Sequence, residues 1–326
     1  LMACGTGKTK TSFWIMNEIL HNNNNEGVYI VVTPYLQLLR QFFNSWSAMN
    51  RMHGNKVITG IVASNSDTFR KDKYSNYDYL RNERDINRFF SYSHPVKFIF
   101  TTYHSLNRLQ NVDFPVPPKL TVYDEAHHAS VYRPDWGGKE LFLTATPNKF
   151  YYEFGDIICN YNLRNAIDDG YLTPYDLHVF GDEGYNPDIV DCLSHIQLSN
   201  KKTIVYCRTN AIASELYHYW ISRGGNEDSS FHITCRTGKV KRDQIFSSYR
   251  NLDRAIIFNC AILGEGVDFS NCDSILIHSG YTSQTRIVQA IGRPIRLCEG
   301  KDKANIYMIN DIKYLHKSYL LLYQNM

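Results

Sequence analysis

The chain opens with a glycine-rich loop followed by a lysine and a threonine, residue types that bind phosphate. The loop has the sequence ACGTGKT at 3–9. Its glycines allow consecutive backbone N–H groups to converge on an anionic oxygen, and a helix beginning near Lys8 would direct the positive end of its dipole to the same point. Lys8 would reach the β- and γ-phosphates of a nucleoside triphosphate, while the Thr9 hydroxyl would bind Mg²⁺. The predicted phosphate-binding residues are Gly5, Thr6, Gly7, Lys8, Thr9 and Lys10.

This loop differs from a complete phosphate-binding loop in two respects. The pattern G-x-x-x-x-G-K-[ST] has glycine where this chain has Met2. Taken alone, the loop could also be an ordinary glycine turn before a helix. Phosphate loops of this kind follow a buried strand, and only Leu1–Cys4 precede this one. We therefore expect the first strand of the first domain to be truncated, and the upstream segment that recognises the base to be absent.

Two adjacent acids follow an apolar run in LTVYDEAHH at 120–128. At the tip of a strand, Asp124 would hold Mg²⁺ through its water shell, and Glu125 would orient and deprotonate an attacking water. One alternative is a turn whose acids simply face solvent. Another is a metal-hydrolase site made by Asp124, His127 and His128. That site lacks the i, i+4 histidine spacing of a helical zinc centre and leaves Lys8 without a role.

Two arginines near the other end of the chain could act on the same phosphates. In QAIGRPIR at 289–296, Gln289 and Arg293 are four residues apart and would share a helical face. Pro294 should end that helix at Arg293 and leave Arg296 on the exit loop. Two guanidinium groups would neutralise charge that develops in the transition state. The alternative is a basic helix end favoured by the helix dipole. Arginines so far along the chain from Lys8 imply a composite site that closes for hydrolysis.

The elements that must position these residues are strands in two series. Near-continuous apolar runs are typical of parallel strands buried on both faces. Helix-like segments separate them, so the pattern predicts two successive doubly wound parallel sheets, a first domain at 1–178 and a second at 179–326. The runs are VYIVVT (28–33), VKFIFTT (96–102), LTVYD (120–124) and ELFLTAT (140–146), then KTIVYC (202–207), FHIT (231–234), RAIIFN (254–259), SILIH (274–278) and NIYMI (305–309).

Bulk composition narrows the class of protein. With 35 Lys and Arg against 32 Asp and Glu, no global field indicates a polyanionic partner, so any nucleic-acid surface must be local. The 8 cysteines are scattered without ligand-like spacing, and no run resembles a signal peptide or a membrane span. We therefore expect an intracellular α/β protein, cytoplasmic or in a viral factory or nucleoid. Residues 64–95 are basic and rich in tyrosine, which indicates either a nucleic-acid surface or a solvated helix and loop.

The motifs together resemble a superfamily 2 helicase core of the DEAD/DEAH-box type. The resemblance is closest to the helicase module of type III restriction enzymes, the res-subunit-like helicases of bacteria and large DNA viruses. It covers essentially the whole chain and implies two tandem RecA-like domains, with ATP and Mg²⁺ in a cleft between them and a single strand of DNA or RNA across their top. The matching motifs are ACGTGKT (motif I), DEAH at 124–127 (II), TAT at 144–146 (III), GEGVD at 264–268 (V) and QAIGRPIR (VI).

The resemblance also assigns roles outside the phosphate loop. It implies that Gly266 and Asp268 approach the nucleotide, and that His127, Thr144 and Thr146 couple hydrolysis to the nucleic acid. Routine strand threonines are the alternative for motif III. The implied contacts to the nucleic-acid backbone, for each of which plain strand-end packing is the alternative, are Thr33, Pro34, Arg40, Thr101, Thr102 and Arg208.

The predicted activity is ATP hydrolysis coupled to movement on DNA or RNA, or to its unwinding. The catalytic residues would be Lys8, Glu125, Gln289, Arg293 and Arg296. One alternative is a translocase or switch subunit that does not separate strands and serves a nuclease outside this chain. Another is an inactive fragment that only binds partners or nucleic acid. The choice between DNA and RNA is left open by the sequence.

Overall fold

The chain forms two compact units. The computed structural model describes residues 1–64, 77–110, 112, 114–131, 133–145, 154–180, 189–260, 269, 271–278, 280 and 284–309. One unit consists of Leu1–Met2 and Gly7–Asn160, and the other of Ala3–Thr6 and Tyr161–Met326. Within the described residues, each unit is built around one six-stranded sheet.

The first unit alternates helices and strands, as its hydrophobic pattern predicts. Its described elements are α1 (Lys8–His21), β1 (Gly27–Thr33), α2 (Leu36–His53), β2 (Val57–Val62), β3 (Asp78–Tyr79), α3 (Glu83–Ser91), β4 (Val96–Thr102), α4 (Asn107–Gln110), β5 (Leu120–Asp124) and β6 (Lys139–Leu143), with 3₁₀ turns at Tyr103–Ser105 and Ala126–Val131.

All strands of the first sheet run parallel, in the order β3-β2-β4-β1-β5-β6. Both faces of the sheet are covered. Along β1, Tyr29 and Val31 pack in the same apolar cluster as Trp46, whereas Ile30 packs on the opposite face with Tyr123. Burial on both faces explains why these strands are continuous apolar runs rather than alternating ones. It also confirms the predicted doubly wound arrangement.

The second unit repeats this architecture. Its described elements are α5 (Leu163–Asp168), β7 (Tyr175–Phe180), α6 (Ile189–Ser199), β8 (Lys202–Tyr206), α7 (Asn210–Ser222), β9 (Ser230–Ile233), α8 (Lys239–Asn251), β10 (Ala255–Asn259), β11 (Ser274–Ile277), α9 (Gln284–Ile291) and β12 (Ala304–Ile309), with a 3₁₀ turn at Glu227–Ser229. Its strands are also parallel, in the order β7-β12-β11-β8-β10-β9.

The division between the units comes earlier than the boundary at 178–179 that the turn-forming residues suggested. Strand β7 pairs with β12 along its whole length, from Tyr175 beside Ala304 to Phe180 beside Ile309. The second sheet therefore already includes residues before 179, and the contacts divide the chain between Asn160 and Tyr161. Proline and glycine mark turns, and a turn inside a domain carries the same signal as a linker.

The basic, tyrosine-rich segment at 64–95 is described only in part. Residues 65–76, which include Arg70, Lys71 and Lys73, lie outside the described residues. Farther along, α3 buries Ile86 and Phe89 and exposes Glu83, Arg84 and Arg88, as an ordinary amphipathic helix does. Among the described residues, no helix combines the length and the apolar composition that crossing a bilayer requires.

The start of β6 offers a test of the packing. A Cβ added at Gly138 would lie 1.8 Å from the carbonyl oxygen of Pro118. Gly138→Ala must therefore displace backbone, and we expect it to lower the free energy of unfolding by about 1–3 kcal/mol. The neighbouring Gly137 has φ of 73° and open space around its missing Cβ. Because asparagine tolerates that backbone conformation, Gly137→Asn should cost much less. Urea unfolding measures both, and equal losses would contradict the packing described here.

Candidate functional site

The phosphate loop has the backbone that its sequence predicts. Gly5 and Gly7 have φ of 85° and 93°, in the left-handed region that favours glycine. Gly7 is the residue before α1 and offers no side chain to cap the first N–H groups of that helix. A Cβ at Gly7 would meet no atom within 4 Å, so the space in front of the helix is open. An uncapped helix N-terminus behind an open glycine turn fits a phosphate group.

Hydrogen bonds hold the loop and the start of α1 in place. The carbonyl of Thr9 accepts from the Ser12 hydroxyl at 2.8 Å and from the Trp46 indole Nε1 at 3.3 Å. Lys8 Nζ donates to the Met2 carbonyl at 3.3 Å. Thr6 donates its hydroxyl to the Ala3 carbonyl at 2.7 Å, which makes it a loop-forming residue. Lys10 is exposed on α1.

The acid pair lies where β5 ends. Asp124 is the last residue of β5 and is only 5% exposed, so the alternative of two acids facing solvent from a turn is wrong for this residue. The Tyr103 hydroxyl donates to the Asp124 carbonyl at 3.0 Å. Glu125 then turns away from the strand with φ of 49°. A non-glycine residue in that region is strained, and such strain is concentrated at functional sites.

Glu125 contacts the two histidines that follow it. Its carboxylate Oε2 lies 3.6 Å from His127 Nδ1, and its carbonyl accepts from the His128 backbone N–H at 2.9 Å. Burial lowers the pKa of His127 and His128. Burial therefore favours the neutral form of both imidazoles.

Neither histidine completes a metal-binding cluster. In the part of the chain that the structure describes, no group of three or more His, Cys, Asp and Glu side chains could hold a metal ion. The metal-hydrolase alternative for Asp124, His127 and His128 therefore lacks a ligand set there. A magnesium nucleotide has different needs, because Mg²⁺ uses one or two protein oxygens together with phosphates and water. The hydroxyl of Thr9 and the carboxylate of Asp124 are groups of that kind.

The threonines that were predicted to contact the nucleic-acid backbone are buried. Thr33, Thr101 and Thr102 are at most 3% exposed. The Thr33 hydroxyl donates to the Tyr35 carbonyl at 3.2 Å, and that of Thr102 donates to Ser105 Oγ at 3.3 Å. These hydroxyls therefore stabilise the ends of β1 and β4. Contact of these threonines with the nucleic-acid backbone stays a prediction. Pro34 and Arg40, in contrast, are half-buried.

Thr144 and His127 line one cavity of the first unit. The cavity has a volume of about 110 Å³ and is walled by Phe142 and Phe154 among others. Thr144 follows β6 and is buried, and its backbone carbonyl accepts from the Met2 backbone N–H at 3.0 Å. The structure thus brings together the two residues that were predicted to couple motif II and motif III. Thr146 lies outside the described residues.

The arginine segment of the second unit is anchored through its backbone. Helix α9 ends at Ile291, two residues before the predicted end, because Arg293 N donates to the Ala290 carbonyl in a tighter turn. Arg293 is buried, with its guanidinium carbon 5.9 Å from the Phe269 ring centroid. Gln289 is buried as well. The Arg296 carbonyl accepts from the Thr173 hydroxyl at 3.3 Å.

Only some of the other residues predicted for the second unit lie within the residues that the structure describes. Arg208 follows β8 and is exposed, and its carbonyl accepts from Cys260 Sγ at 3.3 Å. A Cβ at Gly280, whose φ is 75°, would lie 3.3 Å from Arg208 Cδ. The strand end thus presents a positive side chain beside a glycine turn. Gly266 and Asp268 lie outside the described residues.

Family models match both halves of the chain. The model described as "Type III restriction enzyme, res subunit" matches residues 1–149. The model described as "Helicase conserved C-terminal domain" matches residues 187–298. Over these two regions the chain is similar to superfamily 2 helicases of the res-subunit type. Its two parallel sheets have a RecA-like fold.

Individual relatives agree with this assignment. "Probable helicase A859L" of African swine fever virus is 24% identical over 344 residues, which cover 94% of this chain. The matched part of this chain spans only 38% of the length of that viral protein. The fold of this chain is similar to that of the ATP-dependent Type ISP restriction-modification enzyme LlaBIII bound to DNA, with a TM-score of 0.72 and 19% identity. The match covers 99% of this chain and 27% of LlaBIII. The fold is also similar to that of S. cerevisiae Dbp5 bound to RNA and ADP BeF3, with a TM-score of 0.62 and 15% identity. This match covers 99% of this chain and 81% of Dbp5.

Two further side chains, which the motifs alone did not indicate, support the candidate site. Tyr103 binds the backbone of Asp124, and Trp46 binds the backbone of Thr9. Tyr103 directly follows the threonine pair of motif Ib, so its position at a strand end was a usable signal. Trp46 lies in the middle of α2, and nothing in its sequence context distinguishes it from a core residue.

The hydrogen bond from Tyr103 to Asp124 can be tested by stability. Burial raises the pKa of Tyr103 well above its usual range, so the hydroxyl stays protonated and donates. Tyr103→Phe leaves the buried carbonyl without this donor, and we expect a loss of about 1–3 kcal/mol in the free energy of unfolding. Tyr29→Phe, which removes a longer contact of 3.4 Å to the Glu26 carbonyl, is the control and should cost less. Thermal unfolding measures both, and the reverse order would contradict this role.

Proposed function

We propose that this helicase core hydrolyses ATP with Mg²⁺ and uses the hydrolysis to move along a single strand of DNA or RNA. The observation that carries the proposal is the junction after β5, where a buried aspartate is followed by a glutamate held in a left-handed backbone conformation. The same unit contains the open N-terminus of α1. The family assignment supports the same activity.

The residues of the first unit divide the chemistry among them. Backbone N–H groups at the start of α1 and the ammonium of Lys8 bind the phosphates, assisted by Lys10 on the exposed side. Thr9 and Asp124 hold Mg²⁺, which supplies positive charge to the phosphate oxygens when bound. Glu125 accepts the proton of the attacking water at its carboxylate. His127 keeps that carboxylate oriented by its contact at 3.6 Å.

In this proposal the second unit supplies positive charge to the phosphoryl group and a further contact with the nucleic-acid strand. We propose that Arg296 and Arg293, together with Gln289, neutralise the charge that develops on the transferred phosphoryl group. Gly266 and Asp268 are proposed to approach the nucleotide. Arg208, exposed after β8, and the half-buried Pro34 and Arg40 of the first unit are proposed to contact the backbone of the nucleic-acid strand. Contacts to phosphate and sugar position a strand without reading its sequence, which suits a motor.

The nature of the movement can be measured directly. ATP turnover is followed without nucleic acid, with single-stranded DNA and with RNA, and we expect one of the two to stimulate it. Displacement of a labelled strand from a duplex then reports unwinding, whereas displacement of a third strand from a triplex reports movement along a duplex. A chain that turns over no ATP under any of these conditions would contradict the proposal.

The role of Glu125 predicts a separation of binding from hydrolysis. Glu125→Gln keeps the size of the side chain but removes its basic carboxylate. We expect ATP to bind as in the wild type and kcat to fall by about 10²–10⁴-fold, which is the usual contribution of a general base. The control is Glu18→Gln, an exposed residue of α1. Rapid-quench turnover together with fluorescent-nucleotide binding measures both quantities. Turnover close to that of the wild type in Glu125→Gln would remove Glu125 from this role.

Arg296 is the better test of the arginines. Its backbone is anchored independently by Thr173, so Arg296→Ala should leave the fold intact. We expect hydrolysis to fall by about 10³-fold or more, the range for arginine fingers, with a modest loss of ATP affinity. Arg164→Ala, at an exposed pair with Asp168, is the control. A large loss of affinity with unchanged kcat would instead indicate an arginine that only binds the nucleotide.

A further inference from the structure

Three aromatic side chains of the first unit meet around the ring of His128. We call these four residues, Tyr35, Tyr103, His127 and His128, the ring cluster. The His128 ring centroid lies 4.4 Å from that of His127 and 5.9 Å from that of Tyr103. The Tyr35 ring meets it edge-on, with centroids 6.1 Å apart and planes at 82°. Such edge and tilted pairs are favourable arrangements for aromatic rings. His128 is the member common to all three contacts.

The four rings follow three strand ends of the sheet, those of β1, β4 and β5. Tyr35 follows β1, and its carbonyl accepts from the Thr33 hydroxyl. Tyr103 follows β4, and its hydroxyl donates to the carbonyl of Asp124. His127 contacts the carboxylate of Glu125, and His128 donates its backbone N–H to the Glu125 carbonyl. The ring cluster therefore connects the ends of β1 and β4 with the residue proposed to activate water.

The cluster is unlike ordinary core packing in two ways. His128 Nε2 is buried and has no hydrogen-bond partner among the residues that the structure describes. A buried polar atom without a partner costs free energy, which an apolar ring at this position would avoid. The cluster also runs from the surface to the interior, because Tyr35 is 47% exposed whereas Glu125 and His127 are mostly buried.

We propose that His128 is a positioning residue through which a nucleic-acid strand at the ends of β1 and β4 controls the orientation of Glu125. The inference rests on the proposed function and adds the route by which the strand stimulates hydrolysis. A strand that contacts Tyr35 presses the ring edge against His128. His128 then fixes Glu125 from two sides, through its own backbone N–H and through the neighbouring His127 ring.

The backbone at Glu125 supplies the element that this route can bias. Its φ of 49° is a conformation that a glutamate adopts only when its surroundings impose it. Coupling between two sites requires an element with two arrangements whose balance both sites shift. In this proposal the strained junction between Asp124 and Ala126 serves as that element. Strand binding favours the arrangement in which the Glu125 carboxylate faces the attacking water.

The test compares ATP turnover with and without a saturating oligonucleotide, in wild type, His128→Ala and His128→Phe. In His128→Ala, we expect basal kcat to stay within about twofold, while the stimulated kcat falls at least about fivefold and KM for ATP is unchanged; fivefold is the lower end of ordinary coupling between sites. His128→Phe keeps the ring contacts and should restore most of the stimulation. His53→Ala, whose ring contacts Trp14 elsewhere in the unit, is the matched control.

A second variant protects the test against misfolding. Tyr35→Ala removes only the exposed end of the ring cluster and should also lower stimulation while leaving the melting temperature near that of the wild type. An unchanged ratio of stimulated to basal turnover in His128→Ala and Tyr35→Ala would overturn the inference and leave the proposed function standing. Equal loss of basal and stimulated turnover in both would indicate a structural histidine and overturn it as well. A wild-type chain stimulated by neither DNA nor RNA would overturn the proposed function, and this inference with it.

Discussion

The parallel register of the first sheet is the constraint on which the rest of the site depends. Strand β1 pairs with β4 and with β5, and β5 pairs with β6, all in the same direction. Their carboxyl ends therefore lie along one edge, which is where open α/β sheets bind ligands. Thr33, Thr102, Asp124 and Leu143 are the last residues of these four strands. Residues as far apart in sequence as Thr33 and Leu143 thus reach one edge of the sheet.

The apolar core keeps that edge in register. Trp46 is fully buried and packs edge-on against Phe13, Phe98 and Phe100, which come from α1 and β4. The same indole donates to the Thr9 carbonyl in the first turn of α1. A single side chain therefore links the hydrophobic packing of the sheet to the position of the phosphate loop. A shift of α2 would move the start of α1 with it, so the precision of the loop depends on the core beneath it.

The sequence predicted the strands and the motifs because both are local signals. Continuous apolar runs indicate doubly buried strands, and glycine with lysine indicates a phosphate loop, whatever the rest of the chain does. The direction of the Thr33 and Thr102 hydroxyls is different, because it depends on Tyr35 and Ser105, which turn back toward them. The end of α9 at Ile291 is likewise decided by a hydrogen bond from Arg293 and not by Pro294. Such features follow from tertiary packing, which no short pattern contains.

The conformation of Glu125 argues that its carboxylate is the reason for its position. A left-handed residue costs glycine nothing and costs a glutamate about 1–3 kcal/mol. Elsewhere in the first unit the turns use glycines such as Gly7 and Gly54 for this purpose, and the other described non-glycine residues with positive φ are Asn24 and Asn25, a residue type that tolerates it. A turn that served only to reverse the chain after β5 would be more stable with glycine or asparagine. Since neither group can act as a base, the strain at Glu125 is best explained by what its side chain does.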